Sequence, residues 1–197
     1  MSNFENAPLL LDFSIPLFRD SNSLQFPRPV VGQPAAIQQF TDIADWRKYV
    51  LDLRLSGSVP EISRRKYDQV LRLLFMAWLD DSIIKLAELG ALAALEGAIK
   101  ARYPDPPLRG LEKALEYLVK TVGVTDEDLR CSRETGMPVV QNILRTSKNG
   151  SGSSLSEIRN RLAHGDPFEI MPWAGLFEVV RDLIDFMYPP PAESTAS

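Results

Sequence analysis

Apolar residues recur at helical intervals over most of this chain. Phe40, Ile43, Trp46, Val50 and Leu53 share one face and predict a helix within 38–55. Tyr67, Val70, Leu71, Leu74, Phe75 and Trp78 follow the three-and-four spacing of a second helix, with Ser63 as a candidate N-cap. Asp80-Asp81-Ser82 breaks the pattern, and a third helix is expected from Ile83 to Arg102. Pro104, Pro106 and Pro107 stop it, since proline lacks the N–H that would continue the ladder. Leu108, Leu111, Leu115, Leu118 and Val122 mark a fourth helix. Asp126-Glu127-Asp128 reads as the acidic first turn of a short one. A further short helix is expected over 138–145. The glycine- and serine-rich stretch 147–156 reads as a mobile loop. A closing helix from Trp173 to Met187 carries Leu176, Phe177, Val180 and Ile184 on its apolar face. Trp46, Trp78 and Trp173 all sit at core spacing, and no repeat of fixed period is evident.

The third helix is rich in small residues: Ala87, Gly90, Ala91, Ala93, Ala94, Gly97, Ala98 and Ala101. Two glycines inside a helix cost about 1 kcal/mol each against alanine, which points to close packing. Its polar residues Lys85, Glu88, Glu96 and Lys100 project within roughly a third of the circumference at about 100° per residue. They are expected to form a solvated stripe with a Glu96–Lys100 pair.

The ends of the chain differ from its middle. Residues 1–35 hold five of the fifteen prolines and read as an extended arm. Within it Leu9 to Ile15 is a candidate strand apolar enough to pack on something, in this chain or in a partner. Residues 189–197 read as a disordered tail. The expected organisation is all-α: a helical domain over 36–188 behind a Pro-rich arm.

Composition narrows the function. A 197-residue chain that is 45% hydrophobic and 24% charged can form one domain with a real core. A net charge of −4 is not that of a protein coated in nucleic acid, although it leaves room for a local basic site. One cysteine, Cys131, excludes an internal disulfide, and one cysteine with one histidine leaves no Cys/His zinc site. No cofactor is called for. The N-terminus has no basic stretch before an apolar run, and Lys85, Glu88 and Glu96 interrupt the apolar stretch Ile83–Ile99. A reducing cytoplasm, with no membrane span, is therefore expected.

The single histidine closes the run Arg159-Asn160-Arg161-Leu162-Ala163-His164. Histidine is the side chain that exchanges protons near neutral pH. Leu155, Ile158 and Leu162 would line one face of a short helix, with Gly165 and Pro167 ending it. Asn160 and His164 would share the opposite face, flanked by Glu157 and Arg161. Arg159 projects beside the apolar stripe, about 140° from His164 on an ideal helix. The two converge on one ligand if the last turn unwinds or the arginine curls back. Alternatively, two copies of the helix face each other in a dimer. From Arg145 to Gly165 four cations (Arg145, Lys148, Arg159 and Arg161) face only Glu157, a net of +3 in an acidic chain. Such a patch suits a phosphate ligand. The plain alternatives are a helix-terminal histidine, an arginine covering core and an exposed asparagine.

Arg-Asn-Arg-Leu-Ala-His resembles the R-x4–6-H motif, in its R-N-x3-H form, of the HEPN superfamily. The likeness covers residues 60–188 and includes the helical setting. It implies a HEPN-like bundle acting as a metal-independent endoribonuclease, as a homodimer, in toxin or defence roles. By that resemblance Arg159, Asn160 and His164 would be catalytic, and Arg161, Lys148 and Arg145 would bind RNA. His164 would move a proton at the ribose 2′-hydroxyl or the leaving 5′-oxygen, giving a 2′,3′-cyclic phosphate. The partners implied are RNA, a second copy and an antitoxin or other protein. Asp166 stands where the toxins paired with nucleotidyltransferases carry tyrosine, which puts regulation by that route in doubt. The alternative is a non-catalytic HEPN-like module for dimerisation or for binding a nucleotide or partner.

Overall fold

The computed structural model describes residues 23–105, 107–142, 155–164 and 171–190. Chain order is β1 (Leu24–Val30), β2 (Gln33–Phe40), α1 (Ile43–Asp52), α2 (Glu61–Met76), α3 (Ile83–Arg102), α4 (Gly110–Tyr117), α5 (Arg130–Thr135), α6 (Val139–Asn142), α7 (Leu155–His164) and α8 (Leu176–Met187). A π-helical turn, Leu118–Val122, extends α4, and a 3-10 turn at Asp126–Asp128 precedes α5. The helical expectation therefore holds for the body of the chain. Among the described residues no helix is long and apolar enough to cross a membrane.

The first correction is β1–β2. They pair antiparallel, with Leu24 opposite Phe40 and Phe26 opposite Gln38. Gly32, at φ +74°, supplies the left-handed backbone of the turn. The arm expected over 1–35 thus becomes a folded hairpin from Leu24 onward, and 38–40 belongs to a strand rather than to the first helix. Residues 1–22, with the candidate strand 9–15, lie outside the described residues, as do the tail 191–197 and most of the loop 147–156. In a two-stranded sheet every strand is an edge, so Pro27 and Pro29 fit without breaking an interior ladder. The hairpin joins the core through aromatic rings. Phe26 lies 5.5 Å from Trp46 and 6.2 Å from Phe177, and Phe40 lies 5.0 Å from Trp46. The indole N–H of Trp46 donates to Phe75 O at 3.2 Å, which ties the hairpin and α1 to the end of α2.

Helix α3 has the bounds the sequence predicts and forms the floor on which α2, α4, α7 and α8 pack. Gly90 serves that packing: a Cβ there would meet Val70 Cγ2 at 3.2 Å. Ser63, the expected N-cap of α2, instead lies buried in its first turn, and Pro60 occupies the cap position. Trp46 and Trp78 are buried in the core, and Trp173 packs against it half-buried. Helix α8 is buried nearly all round and begins at Gly175 (φ +76°), where a Cβ would meet Met137 Cε at 3.0 Å and Pro29 Cγ at 3.3 Å.

A second correction concerns the polar stripe of α3. Glu96 and Lys100 do pair at the surface, 2.5 Å apart. Lys85 and Glu88 do not face water: they are 6% and 0% exposed. Lys85 Nζ lies 3.0 Å from Glu88 Oε2 and donates to Met171 O at 2.8 Å. Trp173 N donates to Glu88 Oε1 at 2.6 Å. This pair holds the strand of chain that enters α8 against the N-terminal half of α3. Burial raises the Glu88 carboxyl above the usual carboxylate range, and the Lys85 ammonium opposes that rise.

Candidate functional site

Helix α7 forms as its periodicity predicts. Leu155 and Ile158 are buried and Leu162 packs half-buried against the same core. These contacts seat α7 on α3 and α4. The opposite face carries Asn160 and His164, both exposed. Arg161 is half-exposed beside them. Arg145, Lys148 and Asp166 lie outside the described residues, so four of the six expected site residues, Arg159, Asn160, Arg161 and His164, are described, all on α7.

Arg159 occupies the edge between the buried and exposed faces, as its position beside the apolar stripe predicts. Its side chain is 39% exposed and reaches toward α3, where Nη2 lies 3.8 Å from Glu96 Oε2. Its Nη1 donates to Asn160 Oδ1 at 3.2 Å. Glu96 is only 13% exposed, and its other oxygen accepts from Lys100. A nearly covered carboxylate thus restrains two cations from two helices. Such a pair is weak in water, and an anionic ligand competes for it directly.

Arg159 and His164 do not meet within the chain through local unwinding. α7 stays helical through His164, so the two side chains keep the roughly 140° separation and about 7.5 Å of axial rise of a regular helix. A ligand contacting both must span α7, or must sit between two copies of it. Comparison of the chain with protein-family models, curated proteins and solved structures returns no match. The chemistry rests on the chain's own residues.

Two features of this region were not legible in the sequence. Glu96 read as one member of a solvated stripe, because projecting a helix does not show which neighbour packs beside it. A second polar group, inside the core, also escaped notice. Arg181 on α8 donates from Nε and Nη2 to Asp182 Oδ1 at 2.8 and 2.6 Å, and from Nη1 to Asp52 O at 3.0 Å. Asp182 Oδ2 accepts from Cys131 N at 2.6 Å. Tyr49 donates to Glu178 Oε1 at 3.1 Å, and the Arg28 guanidinium lies 4.8 Å from the Tyr49 ring centre. Burial raises the Glu178 carboxyl, and hydrogen bonds and the nearby cations oppose it. Burial and the Asp182 charge raise the Cys131 thiol, which keeps it protonated and unreactive. This network joins the hairpin, α1, α5 and α8.

Proposed function

We propose that this chain is a metal-independent endoribonuclease of HEPN type that acts on cytoplasmic RNA as a toxin or defence effector. The observation that carries the reading is the placement of the motif. The chain's one histidine is exposed on the helix that also carries a half-exposed arginine, and Lys100 of α3 shares Glu96 with that arginine. A phosphodiester approaching α7 meets Arg159, which exchanges Glu96 for the phosphate and stabilises charge growing on its oxygens. His164 transfers a proton at the attacking 2′-hydroxyl or at the departing 5′-oxygen, a contribution of roughly 10²–10⁴-fold. Asn160, bonded to Arg159, orients the guanidinium. The products are a 2′,3′-cyclic phosphate and a 5′-hydroxyl.

One histidine per chain supplies one acid or one base of this kind. The regular helix through His164 keeps Arg159 apart from it, so a homodimer with facing α7 helices is the arrangement that pools both residues. Arg161, with Lys148 and Arg145, lies in the charged stretch that would follow the RNA. The test compares purified wild type with His164→Ala and Arg159→Ala on total RNA in EDTA. Cleavage by wild type that either substitution abolishes supports the reading, and cleavage surviving both rejects it.

The turn of Arg159 toward Glu96 favours one other reading, a non-catalytic module that binds a nucleotide or a protein such as an antitoxin. A dimer that binds nucleotide with no RNA turnover would select it.

A further inference from the structure

Helix α4 and its π turn put Leu111, Ala114, Leu115 and Leu118 into the core. The opposite face, with residues 107–109 that lead into it, lines a cleft of about 550 Å³. Small-molecule sites span roughly 300–1,000 Å³. Pro107, Leu108 and the half-buried ring of Tyr117 give the cleft apolar surface, and Tyr103 braces that ring with 5.3 Å between centres. Three cations, Arg109, Lys113 and Lys120, line it against one carboxylate, Glu116. That leaves a charge of +2 in a chain whose own net is −4.

Two features here depart from local preference, as functional sites do. Arg109 occupies the N-cap of α4, makes no side-chain cap and sets a positive charge at the positive end of the helix. Among the described residues it has no hydrogen-bond or ion-pair partner. At the far end of the cleft the helix widens into the π turn that holds Lys120 and Thr121, closed by Gly123 N donating to Leu118 O at 2.9 Å. Such turns are rare and gather at functional sites. Between these two features Glu116 accepts from both lysines, Lys113 Nζ at 2.8 Å and Lys120 Nζ at 2.6 Å, on different oxygens. Those bonds hold its carboxyl down at about 2, so it stays charged and keeps the lysines folded over the cleft.

We infer that this outward cleft of α4 is a binding site for a small organic anion, a compact apolar or planar body that bears a phosphate dianion. The body lies on Tyr117 and Leu108. Its phosphate meets the unpartnered fork of Arg109 and draws Lys113 and Lys120 off Glu116 as mobile point charges. One cleft with apolar walls suits one compact ligand better than a nucleic-acid strand, whose phosphates need cations spaced along a path. No residue of α7 lines the cleft, so the inference stands apart from the nuclease reading.

The experiment titrates the full chain calorimetrically with 1-naphthyl phosphate at about pH 7.5, where phosphate monoesters are mostly dianions. Inorganic phosphate, which lacks the ring, and 1-naphthol, which lacks the charge, are titrated beside it. Wild type is compared with Arg109→Gln, Lys120→Gln, Glu116→Gln and Arg159→Ala, all at exposed or half-exposed positions, with the Tm of each as a check on folding. The expected result is that naphthyl phosphate binds more tightly than either fragment. Arg109→Gln and Lys120→Gln should each weaken it roughly tenfold, the scale of a lost charge-assisted hydrogen bond. Glu116→Gln, which frees both lysines, should tighten it, and Arg159→Ala should leave it unchanged. Absence of binding to a folded wild type overturns the site. So does inorganic phosphate binding as well as the ester, since that marks a charged surface with no place for a body. Weakening by Arg159→Ala alone overturns it too and moves the anion to α7. A 2′-O-methyl oligonucleotide that needs Arg109 and Lys120 while naphthyl phosphate does not bind makes the face part of an RNA path and rejects the small-anion site.

Discussion

Replacing Lys85 by methionine leaves the Glu88 carboxylate, 0% exposed, without its cation. Removing one partner of a buried ion pair costs about 3–5 kcal/mol, because the remaining charge keeps its desolvation penalty. The lost hydrogen bond to Met171 O adds about 1 kcal/mol. Protonating Glu88 relieves part of this, so the penalty depends on pH. Burial already raises the Glu88 carboxyl above 4.5 in the folded protein, and removal of Lys85 raises it further. A carboxyl raised by folding binds its proton more tightly in the folded state. Its contribution to stability is fully present below the ordinary value and is lost as pH rises through the folded value. Lys85→Met should therefore cost most at pH 8 and measurably less at pH 5. The double variant Lys85→Met/Glu88→Leu should show no such dependence, retaining only the cost of the orphaned Trp173 N–H and Met171 carbonyl. Urea unfolding at the two pH values measures both. A loss below about 1 kcal/mol at pH 8 would refute the claim that this pair is buried and coupled. So would a loss equal at the two pH values.

Other consequences are equally direct. Glu178→Gln keeps an acceptor for Tyr49 and removes a buried carboxyl whose proton affinity folding raises. Wild-type stability should fall relative to this variant as pH rises from about 4.5 toward 8. Urea midpoints across that range check it, and parallel curves would count against the buried charge. Gly175→Ala forces a left-handed backbone on a residue with a Cβ and presses that carbon on Met137 and Pro29. A Tm loss equivalent to about 1–2 kcal/mol is expected. His164→Ala and Arg159→Ala alter exposed and half-exposed side chains, so both should unfold within about 1 kcal/mol of wild type. Any loss of RNA turnover then belongs to chemistry or binding, and a collapsed unfolding midpoint would deny that separation.

Periodicity carried the reading of the fold wherever a helix buries one face. α3 was legible to the residue, and α7 presented Asn160 and His164 as projected. What failed had specific causes. The prolines of 27–34 suggested an unpaired arm, yet a hairpin made only of edge strands accepts proline, and Leu24, Phe26 and Phe40 bury it. Lys85 and Glu88 lie in line with Glu96 and Lys100 on the helical wheel, but residues 171–173 return over the first pair only. In α8 the apolar face was visible while Glu178, Arg181 and Asp182 were not placed. That helix is buried nearly all round, and nothing local marks that Asp182 will bond Cys131 N, Arg181 Asp52 O and Glu178 Tyr49, fifty-one or more residues away. At the motif the residues and their roughly 140° separation were legible, and the pairing of Arg159 with Glu96 from another helix was not.

The central claim is that α7 carries a phosphodiester-cleaving site built from Arg159 and His164. The direct measurement is end-group analysis of RNA incubated with wild type in EDTA. The account predicts 2′,3′-cyclic phosphate and 5′-hydroxyl ends, and none when the 2′-oxygens are methylated. Products with 5′-phosphate ends, or no cleavage by a folded wild type, would contradict it.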